Sequence, residues 1–191
     1  MRLFIGIELP DPVRAAAVDA AERLRSAVTA RARRSQLRWV PPPNLHITVW
    51  FLGHVVDARR ERLLDALGPP LPLPRFTMQL DRGGAFPPSG PPRVLWLGLT
   101  SGFSEVRAIH QALGERLAPL DFGPERRPYS PHLTLARVKE AGRADGAVIR
   151  QAVRDLEVEP AAGAVGAVTL FRSEPSAGGS RYTPLLRVPL S

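Results

Sequence analysis

The chain contains no cysteine. A disulfide framework, a thiol nucleophile and a thiolate zinc site are excluded together. Lysine is almost missing as well, since Lys139 alone among the Lys and Arg residues is not arginine. Histidine is scarce, with four in 191 residues, so any imidazole chemistry falls to His46, His54, His110 or His132. No apolar run is long enough to span a bilayer, and Glu8 and Asp11 interrupt the opening apolar stretch that a signal peptide would need. These absences lead to the expectation of a soluble, cytoplasmic protein.

An apolar content of 44% is that of a globular chain, and 191 residues suffice for one good-sized core or two small lobes. The 26 Lys and Arg against 18 Asp and Glu leave a formal charge of +8. That excess favours a polyanionic partner such as RNA or a phosphate-bearing substrate. It is also what an arginine-rich, GC-rich coding sequence produces without any such partner.

One short pattern occurs twice. Asn44-Leu45-His46-Ile47-Thr48-Val49-Trp50-Phe51 is matched later by Ser130-Pro131-His132-Leu133-Thr134-Leu135-Ala136-Arg137. Each copy sets a histidine and a threonine two apart in an apolar run, and the strand period of two puts both on one face. Ile47, Val49 and Phe51 in the first copy, and Leu133 and Leu135 in the second, then face the core. Composition alone would produce two such matches on the order of once in a hundred chains. Imidazole titrates nearest neutrality, so two such strands could bring an acid and a base to one pocket. His54, after Gly53 in a turn-like setting, and His110, in a helical pattern beside Arg107 and Gln111, read as surface residues.

The remaining pattern is mixed. Strands are expected at Arg2–Leu9, Leu37–Val40, His46–Leu52, Arg75–Leu80, Arg93–Leu99, His132–Val138, Val165–Phe171 and Tyr182–Val188. Helices are expected from Asp11 to about Arg33, over Asp57–Leu67 and Ser104–Leu117, and from about Arg143 to Leu156. Residues 83–92 read as a long Gly/Pro loop and residues 174–181 as a second loop. Arg31, Arg33, Arg34 and Arg38 form either a solvated helix terminus favoured by the macrodipole or an RNA contact. Arg126 and Arg127 either contact a phosphate backbone or belong to a solvated loop. This order predicts an α+β fold with two lobes of mainly antiparallel sheet, helices outside, each half of the chain supplying one His-x-Thr strand.

The repeated motif resembles that of the 2H phosphoesterases, and specifically the RNA 2′,3′-cyclic phosphodiesterases, also described as 2′-5′ RNA ligases. Arg2-Leu3-Phe4-Ile5-Gly6-Ile7-Glu8-Leu9-Pro10 is similar to that family's first strand, Pro92 to Gly98 to its mid-chain strand, and Leu170 to Glu174 to its last segment. The likeness covers nearly the whole length, with only a helical pattern to match between Ala141 and Val165. It implies one bilobal, pseudo-twofold domain over residues 1–191, with the active-site cleft between the lobes. It implies His46 as proton donor to the leaving O3′ and His132 as the base that activates water, leaving a 2′-phosphate. It also implies a phosphate contact for Arg137 and, as partner, RNA or a nucleotide with a 2′,3′-cyclic phosphate; no membrane association and a monomeric protein are expected beside it.

In-line displacement at phosphorus needs a proton acceptor on one side and a donor on the other, and the residues alone do not say which histidine is which. Thr48 and Thr134 can donate hydrogen bonds to the non-bridging oxygens. No cofactor is expected, because two histidines without a third ligand at suitable spacing make a poor zinc site. Strict alternation puts Arg137 on the face opposite His132 and Thr134, so a bulge or strand end must redirect it. Phe51, at the matching place, is expected in the core, while Trp50 shares the face of His46 and either stacks on a base or packs. Two further readings share these residues: a 2′-5′ RNA ligase, with a 5′-hydroxyl in place of water, and a non-catalytic nucleotide- or RNA-binding module.

Overall fold

A computed structural model of the chain describes residues 1–123, 128–176 and 179–191. Arg126 and Arg127 lie outside the described residues. The first strand, β1 (Arg2–Glu8), is apolar between its charged ends, and Leu3, Phe4, Ile5 and Ile7 are all buried. A strand without a polar face belongs inside a sheet covered on both sides. Accordingly β1 lies between β3 (His46–His54) and β8 (Ala167–Ser176), antiparallel to both.

The other strands are β2 (Gln36–Trp39), β4 (Phe76–Phe86), β5 (Val94–Ser101), β6 (Leu133–Glu140), β7 (Ala162–Val165) and β9 (Gly179–Pro189). They run in the order β7-β4-β5-β6-β3-β1-β8-β9, with β2 also paired to β6. The two lobes, one of β3, β1, β8 and β9 and the other of β7, β4, β5, β6 and β2, meet at the pair Ile47 and Leu133. Beyond it β6 turns its edge to β2 instead, from Ala136 to Glu140. The sheet therefore opens into a cleft where β3 and β6 part.

Among the described residues four α-helices, α1 (Asp11–Arg31), α2 (Asp57–Leu67), α3 (Phe103–Leu117) and α4 (Arg143–Arg154), cover the outer faces. The buried small residues Ala16, Ala17 and Ala20 let α1 lie close to α4, β4 and β7. On the other lobe α3 packs on β3, with the Trp50 indole over Gly114. The halves of the chain are thus interleaved, since α1 covers the lobe of β4, α3 covers the lobe of β3, and β8 and β9 return to β1. Among the described residues no helix is long and apolar enough to cross a membrane.

Three stretches differ from the expectation. β4 continues through Gly83 and Gly84 to Phe86, so the loop begins later. These glycines are strand residues at close contacts: a methyl on Gly83 would overlap the Val153 carbonyl of α4, and one on Gly84 would overlap the Trp96 indole. Most of the loop at residues 174–181 is hairpin, with β8 and β9 paired out to Ser176 and Gly179. The short strand β7, which adds to β4, carries too little pattern in Ala-Gly-Ala-Val to be seen beforehand.

Candidate active site

Ile47 and Leu133 are Cα partners in an antiparallel pair, which sets His46 opposite Thr134 and Thr48 opposite His132. The two histidines and two threonines form a crossed square on the face away from Ile47 and Leu133, both of which are fully buried. The ordinary diagonal spacing in such a pair is about 7–8 Å, room for one phosphate between two imidazoles.

Each ring is oriented by the backbone two residues earlier. His46 Nδ1 lies 2.7 Å from the Asn44 carbonyl oxygen and His132 Nδ1 2.8 Å from that of Ser130. A carbonyl only accepts, so Nδ1 carries the proton in both rings and Nε2 is left to the cleft. The copies then differ. Nε2 of His46 is 2.9 Å from Thr48 Oγ1, whereas Nε2 of His132 has no hydrogen-bond partner among the described residues.

Arg137 reaches this face because β6 carries an extra residue. Trp96 of β5 pairs with Thr134 and Leu95 pairs with Ala136, which leaves Leu135 without a partner on that strand. Leu135 and Ala136 are buried in succession, and parity is inverted after them, as a bulge requires. Arg137 therefore shares the face of His132 and Thr134. The first copy has its bulge at the same place, since Gly6 pairs with Thr48 and Ile5 with Trp50, skipping Val49.

That bulge corrects two expectations. Trp50 turns inward, 5% exposed, and packs 4.6 Å from the His110 ring. Phe51, placed in the core by alternation, is instead 45% exposed on the site face, with the Arg2 guanidinium 5.5 Å from its ring centre. His110 is likewise no plain surface residue, because it lies between Trp50 and Tyr129, stacked on the latter at 4.1 Å and 4°. His54 is exposed at the end of β3.

Aromatic rings floor the cleft on both sides. The His46 ring lies over Gly6, where a Cβ would be 3.1 Å from its Cδ2, and is flanked by Phe4 at 4.8 Å and Tyr182 at 5.2 Å. The His132 ring meets Phe86 edge-on at 5.1 Å, with Trp96 at 6.4 Å. The Trp96 N–H is buried without a partner among the described residues. The parity of β1 was the signal for Phe4, while Tyr182 and Trp96 are located only by the register of neighbouring strands.

Burial among these rings pushes both imidazoles below their ordinary value of 6.5. The bonds to Asn44 and Ser130 oppose that shift, because they favour the charged ring. Repulsion from His132 and Arg137 lowers His46 further, and repulsion from Arg137 lowers His132. The two rings and the guanidinium thus share one electrostatic environment. Among the described residues no three His, Cys, Asp or Glu side chains gather as a metal-binding set.

The family model described as LigT like Phosphoesterase matches the chain twice, over residues 12–96 and 97–182, one His-x-Thr strand in each. The RNA 2′,3′-cyclic phosphodiesterase of Escherichia coli K12 is 30% identical over 194 residues, covering 100% of this chain and 97% of that protein. The crystal structure of TT0787 of Thermus thermophilus superposes with a TM-score of 0.79 at 26% identity, covering 100% of this chain and 98% of that one. The structure of Escherichia coli LigT complexed with 3′-AMP does so with a TM-score of 0.69 at 29% identity, again covering 100% and 98%. With both halves matched and the full length aligned, this chain belongs to the LigT-like phosphoesterase family.

Proposed function

We propose that the protein hydrolyses 2′,3′-cyclic phosphates at RNA ends to 2′-phosphomonoesters, with residues 1–191 working as one bilobal, monomeric unit and without a resident metal. The observation that carries this reading is the pairing of Ile47 with Leu133, which brings two imidazoles, each with Nε2 released, to one face. The names of the relatives and the 3′-AMP bound to the Escherichia coli structure point the same way.

In this scheme Nε2 of His132, which has no partner in the resting site, takes a proton from water as the water oxygen bonds to phosphorus. The P–O3′ bond breaks on the opposite side, and Nε2–H of His46 gives its proton to the departing O3′. Charge on the non-bridging oxygens is held by the Thr48 and Thr134 hydroxyls and by Arg137. Burial keeps the resting rings largely neutral, and the negative phosphate offsets it. The proton that His46 donates is therefore taken up as substrate arrives.

The test is ring opening of a 2′,3′-cyclic-ended oligonucleotide in the presence of a chelator. Turnover is expected to survive the chelator and to fall about 10²- to 10⁴-fold in His46→Ala and His132→Ala. Binding without turnover in the parent protein would sink the reading in favour of a binding module.

A further inference from the structure

Arg38 and Arg137 are Cα partners across β2 and β6, and such partners project from the same face of a sheet. That face holds His132 and Thr134, because the extra residue Leu135 returns Arg137 to it. The next residue along β2 fixes the direction independently: Trp39 turns the other way, with the Arg25 guanidinium of α1 5.1 Å from its ring centre. Both Arg38 and Arg137 are exposed. Among the described residues neither has an ion-pair or hydrogen-bond partner. Like charges set directly opposite weaken a sheet, and an anion between them would relieve the repulsion.

The two guanidiniums occupy different places. Arg137 acts on both imidazoles, whereas Arg38 stands one strand further out. A Cβ built on Gly179 would lie 2.8 Å from Arg38 Nη2, so the guanidinium rests against the backbone at the start of β9. Gly179, at φ 139°, is in a conformation that side chains disfavour. Asn44 Nδ2 donates to the Ser180 carbonyl at 2.6 Å and fastens the hairpin beside the start of β3. Neighbouring strands lie about 4.8 Å apart, and two long side chains rooted on them can reach the two phosphates that flank one ribose.

We propose that Arg38 forms a second phosphate subsite, which binds the 5′-phosphate of the nucleotide whose 2′,3′-cyclic phosphate reacts. The protein accordingly prefers an RNA end, or a 5′-phosphorylated nucleoside cyclic phosphate, over the bare nucleoside cyclic phosphate. This inference rests on the reading that the cleft opens cyclic phosphates.

The experiment measures kcat/KM on a nucleoside 2′,3′-cyclic phosphate with and without a 5′-phosphate, for the parent, Arg38→Ala and Arg33→Ala. Arg33 is exposed just beyond α1 and controls for the loss of one charge. The parent is expected to prefer the 5′-phosphorylated substrate. Arg38→Ala is expected to lose about 10- to 100-fold more on that substrate than on the bare one. Its salt dependence on that substrate is expected to shrink by about 0.7 in log–log slope. Arg33→Ala is expected to keep the parent's ratio. Equal losses on both substrates in Arg38→Ala, the same change in Arg33→Ala, or a parent indifferent to the 5′-phosphate would each overturn the subsite. A parent that opens neither cyclic phosphate overturns the hydrolytic reading and the subsite with it, and does so before any variant is compared.

Discussion

The Nε2 of His46 lies 2.9 Å from the Oγ1 of Thr48. Because the ring proton is held on Nδ1 by the Asn44 carbonyl, the hydroxyl is the donor in the resting pair. In the proposed mechanism one hydroxyl thus serves the imidazole before substrate arrives and the phosphate afterwards. Thr48→Val keeps the shape and removes the donor, and kcat/KM is expected to fall about 10²-fold. Thr48→Ser, which restores the hydroxyl, is expected to recover most of that loss. Parent-like steady-state kinetics in Thr48→Val would remove the hydroxyl from the mechanism.

Burial lowers both imidazoles from 6.5, and in the proposed mechanism the reacting form of the pair carries one proton. The profile of kcat/KM, which reports the free protein, is expected to peak below pH 6.5 and to fall on the alkaline side as the last proton leaves. Bound phosphate favours the charged rings, so the kcat optimum is expected at higher pH. Stability follows the same sign. The unfolded chain binds more protons than the folded one as pH drops past 6.5. The contribution of these rings is therefore complete above that value and is lost as pH falls through the folded values. Urea unfolding on either side of 6.5 is expected to show a shallower pH slope in His132→Asn than in the parent; equal slopes would contradict the burial argument.

The facing of the two His-x-Thr pairs was legible because that spacing on a strand puts both side chains on one face, and two copies ask to be brought together, as the pairing of Ile47 with Leu133 brings them. What alternation missed is local to one residue. An inserted Val49 or Leu135 leaves no mark in an apolar run, yet each reverses the side chains that follow it up to the next irregularity in the ladder. Trp50, Phe51 and Arg137 accordingly face the opposite way from a strict count. Gly83 and Gly84 read as loop because a glycine chosen for close packing in a strand looks the same as one chosen for a turn. The exchange of helices between lobes was invisible for another reason: periodicity reports that α1 has an apolar face, not which sheet the face covers.

Tyr129, three residues before His132 in the chain, ties three parts of the site together. Its hydroxyl donates to the Thr48 carbonyl at 2.9 Å, while its ring stacks on His110 of α3. Burial raises the affinity of the phenol for its proton, so the donor persists well above neutral pH. Tyr129→Phe is expected to cost about 1 kcal/mol of stability and to lower kcat more than it changes KM, because it loosens the link between the two histidine strands. Chemical denaturation and steady-state kinetics check both, and a stability loss with an unchanged kcat would confine the bond to holding the fold.

Gly84 is where β4 passes beneath the Trp96 indole, and a methyl there would overlap the ring. Gly84→Ala is expected to destabilise the protein by about 1–3 kcal/mol through overpacking. The displaced indole, which lies 6.4 Å from the His132 ring, is expected to disturb activity as well. Thermal unfolding tests the first effect, and a parent-like midpoint would mean that the indole has room to move.

Removing Arg137 is expected to make both histidines easier to protonate, although nothing that touches either ring is deleted. Its charge opposes protonation of His46 and of His132, so in Arg137→Ala both midpoints move up toward 6.5. The alkaline limb of kcat/KM follows in the same direction, while KM rises because the phosphate loses a charged donor. The two effects separate cleanly. NMR titration of the imidazole Cε1–H signals without substrate reads the first, and kinetics reads the second. Arg137→Lys keeps the charge without the planar fork, so it is expected to leave the midpoints depressed and to recover only part of KM. If His46 and His132 titrate in Arg137→Ala as they do in the parent, the guanidinium does not face the cleft. The inversion of β6 at Leu135 would then have no bearing on the site.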